Sequence, residues 1–297
     1  MLKLYYTAKR KKEKRTFDEN GGMLYNKARK RKGMKHMNIK AAIWDLDGTL
    51  LNTLDDLAAS TNAALAENGL PKERTYVTGS PMAEVLEQNW EEIEHSDIHA
   101  RLGLEKGRYL LLSAHREENI DTEENFISLF TAVNRLAEKY DMPILYSCHP
   151  RSRKRLEESG FVLDRRVIAH EPLGFHDYNC LQLNAFAVIS DSGTLPEESS
   201  FFLSKGHPFP AVCIRTSTER PEALDKGNFV LAGITEKEVL QAVELAVEMN
   251  RNGDYGIPVP DYVEENVSVK VVKIIQSYTD IVNRMVWRKK QEQKEKK

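Results

Sequence analysis

Residues 185–202, AFAVISDSGTLPEESSFF, pass from an apolar run through a small polar turn into a helix start. The run 185–190 is short and apolar, as expected of a strand buried on both faces. Ser192-Gly193-Thr194 makes the turn. Pro196 suits a first helical turn, where its missing N–H is not needed. Gly193 lets a ligand approach the backbone closely, and the helix start offers unpaired N–H groups with partial positive charge. The combination predicts an anion site suited to a diphosphate. Glu198, in the first turns of that helix, is placed to accept hydrogen bonds from ribose hydroxyls.

The same alternation of apolar strand and amphipathic helix extends in both directions. Strands are predicted at 108–113, 143–148, 166–170, 185–190, 210–215 and 228–232. Helices are predicted at 121–140, 150–159, 175–183, 194–202 and 235–250, and a long helical stretch at 262–288. Short apolar strands separated by helices imply right-handed crossovers, hence an α/β fold with a doubly wound parallel sheet.

The chain has 297 residues, room for one large or two medium domains, and a formal net charge of −2. That charge is uneven: residues 1–40 carry fourteen Lys or Arg against three acids. Residues 1–36 are therefore read as a basic, solvated, disordered arm, with nucleic-acid or anionic-surface binding as the alternative. The arm lacks the apolar region of a secretory signal, and no stretch approaches the roughly 20 apolar residues of a membrane helix. Cys148, Cys180 and Cys213 have no close spacing, which suits buried thiols in a reducing cytoplasm rather than a zinc site or disulfide framework. Residues 289–297 form a charged tail.

Met37 opens a second theme. Residues 39–46 read as a strand, followed by DLDGT at 45–49 and an amphipathic helix over about 53–68. DLDGT and the following LLNTLDDLAASTNAALAENGLP resemble the start of the haloacid-dehalogenase-like phosphatases, in their phosphoglycolate-phosphatase branch. The resemblance implies Asp45 as nucleophile and Asp47 as proton shuttle, with Mg²⁺ neutralising the phosphate. It covers only the segment 37–72. The Ser/Thr, the Lys and the later acidic pair that such an enzyme needs are not found in order, so the motif is taken as vestigial.

From about Arg74 to Trp287 the chain resembles the non-hydrolysing UDP-N-acetylglucosamine 2-epimerases. The motifs, in family order, are VTGSPMAEV, SAHREEN, SCHP, HEPLGFHDYNCL, SDSGTLPEE and RTSTERPE. The resemblance implies the carboxy-terminal half of a glycosyltransferase-B-type fold, a UDP-binding domain over 73–288. It implies His115, Arg116 and His149 as catalytic or cleft-facing groups near the diphosphate and sugar. It further implies Ser192 and Gly193 on phosphate oxygens, Glu198 on the ribose, Arg215 on the diphosphate charge and Tyr178 beside the uracil. UDP or a UDP-N-acetyl-hexosamine is then the ligand, with no cofactor. The wording around SDSGTLPEE and RTSTERPE is similar to a capsule and O-antigen branch acting on UDP-6-deoxy sugars of the UDP-N-acetylfucosamine type.

Each of these residues also has a plainer role open to it. His115 could be a hydrogen-bonded strand-end residue, His149 structural, Glu198 a helix-start acid, Tyr178 a core aromatic, and Arg215 a surface strand-end residue or a partner of Glu219. His170, His176 and His207 are taken as structural. In the family, UDP leaves to give a glycal-like intermediate and then adds back. Its acid and base carboxylates come mainly from an amino-terminal domain, whose place is here taken by residues 1–72. Weak or absent turnover alone is expected, as is an exposed apolar face that favours a homodimer. The other readings are a phosphatase, a UDP-binding remnant, or a junction near 70–75 foreign to the natural gene.

Overall fold

The computed structural model describes residues 76–285, 287 and 288. The basic arm, the DLDGT segment with its expected strand and helix, and the tail 289–297 lie outside the described residues. Six strands form one parallel sheet: β1 (Leu110–Ser113), β2 (Ile144–Ser147), β3 (Val167–His170), β4 (Ala187–Ser190), β5 (Ala211–Cys213) and β6 (Val230–Leu231). Their order is β3-β2-β1-β4-β5-β6. This is the doubly wound arrangement expected from the alternating pattern. All six strands fall inside their expected spans, and each is shorter because pairing ends where a strand opens into a loop.

Side chains along each strand alternate between two apolar layers. Leu110, Leu112, Ile144, Tyr146, Ala187 and Ile189 face one layer, and Leu111, Leu145, Val188, Ala211 and Cys213 face the other. A parallel sheet of this kind needs cover on both sides, because each crossover carries a helix across one face. The first layer is covered by α5 (Glu123–Tyr140) and α10 (Glu236–Arg251). The second is covered by α7 (Phe175–Leu183), α8 (Leu195–Ser204) and three short helices, α1 (Pro81–Gln88), α2 (Trp90–Glu94) and α3 (Ile98–Leu102). Helix α8 is buried along its length from Leu195 to Phe202.

Helix ends follow local chemistry. In α6 (Pro150–Ser159), His149 is the N-cap, Pro150 opens the helix, and Gly160 closes it at φ +65°. Thr235 and Glu238 form a reciprocal capping box at the start of α10. Gly233 before it has φ +75°, and a Cβ there would lie 2.5 Å from Glu238 Oε2. A side chain at 233 would therefore disrupt both the turn and the cap.

The structure departs from expectation in four places. The expected helix 121–140 is present as α5, and a short helix not expected, α4 (Glu117–Ile120), precedes it and turns Asn119 inward to Asp191 and Ile214. A short helix, α9 (Pro221–Asp225), follows β5. The stretch 262–288 becomes a 3-10 turn at Pro260–Tyr262 and then α11 (Val267–Met285). Helices α1–α3 were not expected at all; two of them have five residues, too few to show a helical period. Along α11 only Val267 is buried, and Val269, Val272 and Ile275 are exposed. None of the described helices is long and apolar enough to cross a membrane.

The first layer centres on Phe130, fully buried, with ring centroids of Phe126 at 4.6 Å and Tyr146 at 5.4 Å. Phe130→Ala should cost about 3–5 kcal/mol, the range for truncating a buried aromatic. Urea unfolding of the two proteins measures it, and a loss below about 1 kcal/mol would mean the layer repacks freely.

Candidate functional site

The strand order reverses between β1 and β4, so the loops leaving these two strands diverge to opposite sides and open a crevice at their carboxyl ends. Ligands of open α/β sheets bind at such a switch point. One buried carboxylate organises it. Asp191 follows β4 directly and is fully buried. Its Oδ2 accepts the backbone N–H groups of His115 at 2.7 Å and Arg116 at 2.8 Å, and the Asn119 amide at 3.0 Å. Asn119 also donates to the carbonyl of Ile214 at 3.0 Å, which draws in the end of β5. The Asp191 carbonyl accepts Nε of Arg116 at 2.8 Å. Asp191 Oδ1 has no aligned donor among the described residues, but it lies 3.0 Å from Nδ1 of His115, an ion-pair contact when the imidazole is protonated.

These contacts set the protonation of the pair. The Asp191 carboxylate raises the His115 imidazole above its ordinary value, outweighing the effect of burial. Burial would push the Asp191 carboxyl up. His115, the Arg116 N–H and Asn119 outweigh it and hold the carboxyl below its usual range. His115 keeps about half its side chain exposed, so the ring faces the crevice while its backbone is fixed. From below, Tyr146 Oη and Ser152 Oγ donate to the carbonyl of Ala114 at 2.9 and 3.1 Å.

On the other side of the turn, Arg215 is buried, with 7% of its side chain exposed. It pairs with Glu219 through Nη1, and its Nε lies 3.8 Å from Glu118. The pairing with Glu219 anticipated from sequence is present, but the residue is not a surface one. Arg116 Nη2 lies 3.4 Å from the other oxygen of Glu219. A Cβ on Gly193 would come within 3.2 Å of Glu219 Oε1 and 3.6 Å of Arg116 Nη2. Glycine at 193 thus keeps the backbone open to two guanidinium groups.

A second chain of contacts runs from the turn into the domain. Ser192 Oγ lies 2.9 Å from Thr194 Oγ1, which donates to Glu198 Oε1 at 2.7 Å. Gln182 Nε2 donates to Glu198 Oε2 at 2.9 Å. Glu198 is buried, and burial raises its carboxyl above the usual range despite both bonds. Tyr178 is half-buried in α7, packed on the second apolar layer. Its hydroxyl lies against Ser113 and Ser190, and burial, with the charge of Glu198, raises it above its ordinary value.

Seven of the eight positions from the epimerase motifs therefore gather at the β1–β4 edge. His149 does not join them: it is exposed at the end of β2, where Nδ1 accepts the Arg151 N–H at 3.3 Å. Asp45 and Asp47 lie outside the described residues. Four contributors escaped the sequence reading: Asp191, Asn119, Gln182 and the position of Glu219 over Gly193. Asp191 had a signal, a carboxylate straight after an apolar strand, but its partners lie about seventy-five residues earlier. The three cysteines are buried, and burial pushes the Cys213 thiol up to about 12.

A doubly wound sheet with a glycine turn and paired guanidiniums at its switch point is the architecture of a nucleotide-binding domain. Residues 57–276 match the UDP-N-acetylglucosamine 2-epimerase family, and the chain belongs to that family. The match begins ahead of Arg74, inside the segment 37–72. The UDP-N-acetylglucosamine 2-epimerase of Methanococcus maripaludis is 31% identical over 195 residues, covering 63% of this chain and 52% of that protein. The structure of the Rickettsia bellii UDP-N-acetylglucosamine 2-epimerase aligns at 38% identity and a TM-score of 0.66, over 77% of this chain and 60% of that one. The Methanocaldococcus jannaschii enzyme, solved with UDP-GlcNAc and UDP, aligns at 27% identity and a TM-score of 0.61, over 73% and 58%. The chain spans about half the length of the curated relatives it matches.

The His115–Asp191 pair predicts a pH-dependent stability. The His115 contribution is fully present below its ordinary pKa of about 6.5 and fades as pH rises through its raised folded value. The Asp191 contribution is present above about 3.9 and is lost as pH falls through its depressed folded value. Asp191→Asn should therefore cost most stability at mildly acidic pH and less in alkali, and should lower the His115 midpoint. Urea unfolding across pH and histidine NMR titration read both. An unchanged His115 midpoint would remove the pairing.

Proposed function

We propose that this chain binds the UDP moiety of a UDP-N-acetyl-hexosamine at the β1–β4 edge and serves the leaving-group side of a 2-epimerase reaction. The observation that carries this reading is the convergence, around Asp191, of His115, Arg116, Arg215 and the open backbone at Gly193. Ser192 and Gly193 would take phosphate oxygens, with Arg116, Arg215 and His115 offsetting the diphosphate charge. Glu198, held ready by Thr194 and Gln182, would exchange one of those partners for a ribose hydroxyl. Tyr178 would lie toward the uracil, and His149 toward the sugar side of the crevice. Departure of UDP from the sugar develops negative charge on the diphosphate, and fixed cations at that position lower the barrier.

The finer identity rests on sequence wording. HEPLGFHDYNCLQLNAFAVISDSGTLPEESSFF and FPAVCIRTSTERPE support a substrate of the UDP-N-acetylfucosamine-precursor type, in capsule or O-antigen synthesis. Three buried thiols are in keeping with a cytoplasmic setting. The exposed stripe Val269, Val272 and Ile275 supports a homodimer, which a monodisperse monomer at high concentration would rule out. The DLDGT stretch ahead of residue 57, where the epimerase family match begins, is read as haloacid-dehalogenase-like, with Mg²⁺ chemistry only if Asp45 and Asp47 were to act.

Calorimetric titration with UDP should give saturable binding, and Arg215→Ala should weaken it at least tenfold, about 1.4 kcal/mol. Equal affinity in the variant would remove Arg215 from the site. Turnover of a UDP-sugar by the pure chain should be slow or absent, because the proton-transfer carboxylates of the resembled family belong mainly to an amino-terminal domain. Clear conversion would contradict that division of labour.

A further inference from the structure

Glu219 lies in the segment 214–220 between β5 and α9, which is neither helix nor strand. One of its oxygens contacts Arg215 Nη1, and the other lies 3.4 Å from Arg116 Nη2. That second oxygen would be the nearest neighbour of a Cβ on Gly193, at 3.2 Å, with Arg215 Nη1 at 4.0 Å. One carboxylate and two guanidiniums therefore meet over the residue whose missing side chain opens the site. Burial pushes the Glu219 carboxyl up. A backbone N–H and Arg215 outweigh it, so the group is ionised around neutrality.

A buried guanidinium without a nearby anion is costly. Arg215 is buried, and Glu118, 3.8 Å from its Nε, is too far for a hydrogen bond. Glu219 supplies the anion. It keeps a quarter of its side chain exposed and sits on irregular backbone, so it can leave without unwinding an element.

We propose that Glu219 is a tethered stand-in for phosphate: its carboxylate occupies the guanidinium pair when the site is empty and is displaced when a diphosphate arrives. This rests on the reading that the diphosphate binds over Gly193. A tethered group competes at an effective concentration in the millimolar range or above. A carboxylate brings one charge, whereas a diphosphate brings two or three, so the diphosphate displaces Glu219 and singly charged anions do not. The competition also weakens the grip on UDP, which favours its release.

Inorganic pyrophosphate and UDP, titrated by calorimetry into the wild type, Glu219→Gln and Arg215→Ala, test this. Glu219→Gln should bind pyrophosphate about tenfold more tightly, with a steeper loss of affinity in salt, because the site gains net positive charge. Equal or weaker binding by Glu219→Gln would overturn the stand-in and make Glu219 a group that helps hold the ligand or its arginines. UDP binding by the wild type reports on the site itself, and the ratio between variant and wild type reports on Glu219, so the two can fail separately. No pyrophosphate binding by either protein would overturn the stand-in, and no UDP binding by the wild type would overturn the site. Thermal melting checks folding. If Glu219→Gln does not fold, Glu219→Asp, one methylene shorter, decides: tighter pyrophosphate binding supports displacement, and unchanged or weaker binding overturns it.

Discussion

The Asp191 carboxylate is fully buried at the one place where the sheet order reverses, and it holds three strand ends at once. Its bonds to the His115 and Arg116 backbone fix the β1 loop, and Asn119 carries the same carboxylate to Ile214 at the end of β5. Removing this acceptor leaves the buried Asn119 amide without one of its partners, a loss of about 1–3 kcal/mol, and frees the part-buried N–H groups of His115 and Arg116. The positions of the functional side chains follow from it. The His115 ring is held against Oδ1, and Arg116 is turned back to the Asp191 carbonyl. A switch-point crevice exists in any doubly wound sheet, but this carboxylate gives it a fixed rim and a charged wall.

The wall is nearly balanced in charge. Arg116 and Arg215 meet Glu219, with Glu118 behind, and Arg220 lies 3.1 Å from the buried Glu197. The guanidiniums would otherwise repel one another, and the neighbouring carboxylates keep them in place. The Glu198 side uses the opposite device. Glu198 is buried with a raised carboxyl and is satisfied by neutral donors, a hydroxyl and an amide. Both arrangements fix polar groups in place, so that a ligand bound there would exchange bonds rather than form them in open water.

Much of the fold was legible in the sequence because its signal is local. A four-residue apolar run followed by a helical period reads the same in any context, and all six strands and the main helices lie where that pattern puts them. The glycine turn and the Pro196 helix start were legible for the same reason. The short helices α1–α3 were not, since two of them span little more than one turn and owe their place to packing, as when Trp90 meets Phe201 and Phe202 at 6.0 Å. Asp191 escaped because a strand-end aspartate has many uses, and only the fold shows that its donors come from 115–119. Glu219 was visible as a partner for Arg215, but its approach to Gly193 depends on two loops meeting in space. His149 shows the converse, a motif residue whose described role is a helix cap.

A crystal structure of the chain with UDP tests this account most directly. The diphosphate should lie over Gly193 within reach of His115, Arg116 and Arg215, with the Asp191 bonds to 115, 116 and 119 intact. UDP bound elsewhere, or a diphosphate in the crevice with Asp191 released from those N–H groups, would contradict it.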